Sequence, residues 1–276
     1  MAATVDLSGK NVLITGGSLG LGFAAAQRCL EAGGRVVICA RDSGRVREAV
    51  EQLQAVAGRE KIEGVSADVT SLEQIEGALD RLESRFGAIT SLIHAAAILG
   101  PIGEFTSLAP EEWLETLRVN LFGTFIVARQ ACTRMKKSGG RLVLFSGGGG
   151  GSALPNYTPY ACSKVAVVRF TETIAREMAP YGIEVNALAP GLVATRLLAQ
   201  SAAAGQLPPT QPVPPSLAAG AAAFLISDRA AGISGKFLAA PYDSWAGWPQ
   251  HVDELRHSDI FTLRRIVPRD RGMDWQ

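Results

Sequence analysis

A short apolar run, Asn11-Val12-Leu13-Ile14-Thr15, passes without a break into Gly16-Gly17-Ser18-Leu19-Gly20-Leu21-Gly22. Beyond the glycines, Leu21, Ala25 and Cys29 recur at helical spacing until Gly33-Gly34, a C-cap signal. Strand, glycine turn and helix in this order restrict the fold sharply. Gly16 permits a tight turn, Gly20 lets backbone approach a pyrophosphate, and Gly22 lets the helix close on the strand. The helix N-terminus then faces the phosphates. A merely structural turn is the competing reading. Placement between a strand and a helix of one βαβ unit favours a dinucleotide site.

The same alternation continues. Apolar runs at Arg35–Cys39, Lys61–Ala67, Ser91–Ala97, Arg141–Ser146 and Gly182–Leu188 read as strands, with Gly232–Phe237 approaching a last one. Helical patterns fill the gaps, at Ser43–Ala57, from a capping box at Ser71 to about Phe86, from Glu111, from about Tyr160 to Met178, and at Leu217–Ser227. The strands are continuous apolar runs, which marks parallel strands buried on both faces. The expected fold is a doubly wound α/β domain, with a mainly parallel sheet of about seven strands and helices on both faces.

Lys plus Arg is 27 against 26 for Asp plus Glu, a net charge of +1, so nucleic acid and anionic membranes are not expected partners. The four cysteines form no C-x-x-C pair and read as buried thiols of a reduced, cytoplasmic protein. His94, His251 and His257 make no ligand set with them, so no metal is expected. No signal peptide and no apolar run able to span a bilayer is evident.

Several residues carry candidate chemistry. The second strand ends Ala40-Arg41-Asp42. Arg41 could fork onto the 2′-phosphate of NADP, which makes NADP(H) the expected cofactor and leaves NAD(H) open. In the other reading Asp42 only caps the next helix and Arg41 is solvated. Small residues at Ala95, Ala96 and Ala97 let a flat ring lie on backbone, or serve tight packing. Asn120 sits among apolar residues and needs partners, and by itself reads more readily as capping or bridging neighbouring backbone. Tyr160 and Lys164 are four residues apart, on one helix face. An ammonium beside a phenol favours the phenolate and lowers its pKa, which suits proton exchange with a carbonyl oxygen or an alcohol. Alone, that pair is as well explained by an interfacial Tyr beside a solvated Lys.

Taken together, Thr15-Gly16-x-x-x-Gly20-x-Gly22, Asp68, the strand end Leu92 to Ala97, Asn120, Tyr160-x-x-x-Lys164 and Pro190-Gly191-x-Val193-x-Thr195 resemble the classical short-chain dehydrogenase/reductase family over about residues 5 to 240. The resemblance implies a Rossmann fold with Thr15, Gly16, Ser18, Leu19, Gly20 and Gly22 at the cofactor phosphates. Asp68 would meet the adenine with Val69 beside it, and Ala95 and Ala96 would lie along the cofactor. Pro190, Gly191, Val193 and Thr195 would meet the carboxamide end. Tyr160 would be the acid/base, and Lys164 would bind the ribose and lower the Tyr160 pKa. Asn120 would support a proton-relay water. Homodimers or homotetramers are implied as well.

Three departures stand out. The usual Asn-Asn-Ala-Gly is His94-Ala95-Ala96-Ala97 here, and His94 reads as structural. The family's catalytic serine position, thirteen before the tyrosine, is Gly147, within a run from Gly147 to Gly151. Ser146, or else Ser152, would have to supply the oxyanion donor, with Ser146 favoured. Residues 1–245 are expected to form one domain with a lid at about 195–225, rich in Ala, Gln and Pro where a disordered linker is the other reading. Residues 246–276 form an extension packed on the domain or at a subunit interface, with its basic Arg264, Arg265, Arg269 and Arg271 interspersed with acids. The expected activity is an oxidoreductase interconverting a carbonyl and a secondary alcohol by hydride transfer, acting on a small molecule. The rival is a dinucleotide-binding sensor or scaffold without chemistry.

Overall fold

A computed structural model describes residues 5–206 and 211–274. Seven parallel strands form one sheet: β1 (Asn11–Thr15), β2 (Arg35–Ala40), β3 (Ile62–Ser66), β4 (Ser91–His94), β5 (Gly140–Phe145), β6 (Ile183–Ala189) and β7 (Phe237–Ala239). Their order is β3-β2-β1-β4-β5-β6-β7, as expected for a doubly wound α/β fold. The order reverses between β1 and β4, and a crevice opens outside the strand ends there.

Burial on both faces explains the unbroken apolar runs. Val12, Ile14, Val36 and Ile38 pack on one side with α1 (Gly20–Glu31), α2 (Ser43–Ala57) and α8 (Pro215–Ile226). Leu13, Val37 and Leu92 pack on the other with α3 (Leu72–Phe86), α5 (Gly123–Met135) and α6 (Thr158–Met178). Gly22 shows why a glycine is needed where α1 crosses β1: a Cβ there would lie 2.3 Å from the Gly16 carbonyl oxygen.

Some boundaries differ from expectation. β4 stops at His94, and Ala95 to Ala97 leave the sheet to line the crevice. The helix expected from Glu111 is α4 (Pro110–Leu117), a π-helical turn over Arg118–Phe122, and then α5. The extra residue in that turn sets Asn120 inward, 1% exposed. The lid region holds α7 (Arg196–Ala203), and Val193 bridges Val213 beyond it. Of the proline-rich stretch there, Pro208 to Thr210 lie outside the described residues.

After β7 the chain forms α9 (Val252–His257) and turns back along the sheet edge. Phe237 N–H donates to the Phe261 carbonyl at 2.7 Å, and the Phe261 ring packs on Trp248 at 4.7 Å between centroids. Leu263 N–H donates to Glu172 on α6 at 2.6 Å, and Lys236 Nζ donates to the carbonyls of Ser258 and Ile260, both at 3.0 Å. The basic tail residue Arg264 pairs with Asp259 and Asp270.

Candidate active site

The crevice is a groove of about 250 Å³. The α1 turn supplies Gly16, Ser18, Leu19, Gly20 and Gly22, and β2 ends on it with Ala40 and Arg41. Gly16 and Gly20 have φ of +67° and +57°, a left-handed conformation that favours glycine. A Cβ at Gly20 would reach to 3.5 Å from the Thr195 side chain across the groove. The cradle is therefore shaped for backbone to lie against a bound group, and the residues fit a nicotinamide dinucleotide.

At one end of the groove Asp42 accepts from Arg45 N–H at 3.0 Å, capping α2, and also lies 3.6 Å from the Arg45 guanidinium. The cap reading of Asp42 thus holds while Arg41 stays exposed on the groove wall. Two guanidiniums face this end, and Arg45 was not foreseen. Its signal is the i+3 spacing from a capping aspartate. Asp68 and Val69 also line the groove. Burial works to raise the Asp68 carboxyl, but bonds from Thr70 N–H and hydroxyl, helped by the charges of Arg41 and Arg118, hold it below the usual range.

At the other end stand Tyr160 and Lys164. Lys164 is 3% exposed, and its ammonium lies 5.6 Å from the Tyr160 ring centroid while donating to the Phe145 carbonyl at 3.0 Å. Burial lowers Lys164 to about 8 and pushes the Tyr160 phenol up to about 12. The expected depression of the phenol by Lys164 is therefore not present in the chain itself, where burial alone sets the direction.

Thr15, Asn120 and Ser152 do not line the groove, and Ser146 lines it with its hydroxyl turned away. The Ser146 hydroxyl points to α6 and donates to the Lys164 carbonyl at 3.0 Å, so it is not placed as an oxyanion donor. Ser152 is exposed and lines a second cavity that adjoins the groove. Thr15 is fully buried behind the groove, bonded through its hydroxyl to His94 Nδ1 at 2.7 Å, and fixes the end of β4 instead of meeting phosphates. Asn120 accepts from Ile98 N–H and donates to the Ile98 carbonyl, both at 2.8 Å, and donates to Ser163 at 3.0 Å. Ser163 in turn donates to the Tyr160 carbonyl at 2.7 Å. The Asn120 side chain is thus a brace between the β4 loop and the first turn of α6. Ser163 was passed over in the sequence, although it lies inside the Tyr160-to-Lys164 motif.

A second cavity, about 450 Å³, adjoins the groove and shares Leu21, Tyr160, Pro190, Thr195 and Leu197 with it. Gly191 and Val193 line this cavity and not the groove. Its floor holds Gly147, Gly148 and Phe237, and Leu198 of α7 closes a side. Tyr157 hydroxyl donates to the Gln206 carbonyl at 2.9 Å, tying the loop before α6 to the chain after α7.

The family model for short chain dehydrogenases matches residues 10–205. The chain belongs to the short-chain dehydrogenase family. A ketoacyl reductase of Streptomyces coelicolor, described as putative, is 35% identical over 190 residues, 68% of this chain and 72% of the relative. A 3alpha-hydroxysteroid dehydrogenase of Mediterraneibacter gnavus is 30% identical over 244 residues, 84% of this chain and 95% of the relative. A solved actinorhodin polyketide ketoreductase with NADPH superposes with a TM-score of 0.77 at 28% identity, covering 87% of this chain and 97% of that one. As a member of this family the chain is an oxidoreductase with a pyridine-nucleotide fold. Among the described residues no helix is long and apolar enough to cross a membrane, and no cluster is suited to hold a metal.

Proposed function

We propose that this short-chain dehydrogenase interconverts a carbonyl and a secondary alcohol with NADP(H) in preference to NAD(H), and that Tyr160 is its acid/base. The carrying observation is that Tyr160 belongs to both walls, at the junction of the dinucleotide groove and the second cavity. Nicotinamide, when bound, supplies or accepts the hydride. Tyr160 passes its phenolic proton to the substrate oxygen, or takes one from an alcohol. Burial keeps the phenol in its neutral form, which carries the proton that a carbonyl oxygen would take. Lys164 fixes the position of the ring end of α6 through the Phe145 carbonyl. Arg41 and Arg45 at the adenosine end favour a 2′-phosphate, and the ketoreductase solved with NADPH supports the same preference.

The proposal extends to self-association as a homodimer or homotetramer through α5 and α6, which two exposed rings support. Phe122 and Phe125 are exposed there and stack at 6.1 Å, with Phe125 edge-on to Phe170 at 6.5 Å.

One observation favours a second reading, a dinucleotide sensor without chemistry: Gly147, which has no side chain, stands beside the Tyr160 hydroxyl, and the Ser146 hydroxyl is turned to the Lys164 carbonyl. The deciding experiment follows nicotinamide absorbance with NADPH, NADH and a panel of ketones, in parallel with Tyr160→Phe. Turnover lost in the variant with NADPH binding kept supports the dehydrogenase. Turnover retained in the variant removes Tyr160 as acid/base, and tight NADPH binding without any turnover favours the sensor.

A further inference from the structure

Resting on the dehydrogenase reading, we infer that the second cavity selects an uncharged, largely apolar ketone or secondary alcohol and rejects carbonyl compounds that carry a carboxylate or phosphate. Among the described residues no Asp, Glu, Lys, Arg or His lines the cavity. An anion entering it would lose its water and meet no countercharge, a cost that falls only on charged substrates. Hydroxyls on its walls are neutral and cannot offset a negative charge, and two of them are already bonded: Tyr157 to the Gln206 carbonyl and Ser201 to the Leu197 carbonyl.

The cavity is built for apolar volume. At about 450 Å³ it lies within the ~300–1,000 Å³ of small-molecule sites. The glycine run makes room for its floor. A Cβ at Gly150 would sit 3.2 Å from the Phe237 ring and one at Gly151 3.3 Å from it, so the ring lies directly on backbone. Leu154 from the loop and Leu198 from α7 face the same space, and Tyr242, 80% exposed, stands at the mouth. The Tyr160 hydroxyl thus orients the substrate oxygen at the junction with the groove, and the uncharged walls, with their leucines, Val193 and Phe237, take the body.

The test compares a matched pair, acetylnaphthalene and acetylnaphthoic acid, with NADPH and the full chain. The expected kcat/KM favours the neutral ketone by roughly 100-fold. Leu198→Arg, which puts a cation on the wall outside the dinucleotide groove, is expected to narrow or invert that ratio while NADPH binding stays unchanged. Equal or better use of the acid by the unaltered protein overturns the inference and leaves the dehydrogenase reading intact. If neither compound is reduced, thermal shifts of the NADPH complex decide. A shift with the ketone and none with the acid supports the cavity's selectivity while turnover of this ketone fails. A shift with neither overturns the selectivity.

Discussion

The Tyr160 hydroxyl rests against Gly147, so closely that a Cβ at position 147 would fall 2.8 Å from it. The backbone at Gly147 is extended, with φ 176° and ψ −177°, so any residue could adopt it and only the neighbouring phenol excludes a side chain. Gly147→Ala is expected to push Tyr160 aside and lower kcat by about 10-fold. Gly147→Ser adds the same carbon with a hydroxyl. It is expected to recover part of that loss if a hydroxyl there bonds the substrate oxygen. Steady-state kinetics with NADPH affinity measured separately checks both. Unchanged kcat in Gly147→Ala would show that the contact has no role in turnover.

Ser146→Ala is expected to leave kcat within about threefold and to cost about 1 kcal/mol of stability, because the hydroxyl serves the buried Lys164 carbonyl. Chemical denaturation beside the kinetics separates the two effects. A loss of kcat far above threefold at small stability cost would mean that the side chain turns toward the substrate.

Arg41→Glu is expected to reduce the preference for NADPH over NADH by more than about 10-fold, mainly through the KM for NADPH. Arg41 is exposed on the groove wall, so folding should not suffer. An unaltered cofactor ratio would assign phosphate recognition to Arg45 alone.

His94 gives a prediction for acid. It is 2% exposed, and burial, with a smaller effect of the Lys164 charge, lowers it from 6.5 to about 3. The unfolded chain therefore binds a proton below about pH 6.5 that the folded chain refuses. Stability is expected to fall as pH drops from about 6.5 toward 3, by up to about 1.4 kcal/mol per pH unit from this residue. It is unaffected above that window. His94→Asn, measured against the parent by denaturant unfolding across pH 4 to 7, should flatten the slope. Identical slopes would place the acid sensitivity on carboxylates.

The strands, their parallel pairing and the glycine cradle were legible in the sequence because each leaves a local signature. Unbroken Val, Ile and Leu runs state burial on two faces, and the Gly20-to-Gly22 spacing states a close approach. Where side chains turn is set by partners distant in sequence, and there the reading failed. Thr15 was expected at phosphates but bonds to His94 on the neighbouring strand. Ser146 was expected beside the substrate, yet just past the end of β5 its side chain turns to the other side, and the hydroxyl reaches α6. The phenol of Tyr160 was expected to be lowered by charge, a local inference. Its burial depends on the loop from Gly147, the end of β6 and α7, which no spacing reveals.

The turn of chain that brings Phe261 onto Phe237 closes the sheet to growth. An edge strand normally offers a row of free peptide groups to any passing strand. At β7 the outward Phe237 N–H is taken by the Phe261 carbonyl. At the opposite edge, β3 carries Glu63, paired with Arg81 and Arg85, a charge that a docking strand would have to bury. Two unrelated devices therefore guard the two ends of one sheet. A strand could be added at β7 only after the tail had been peeled away.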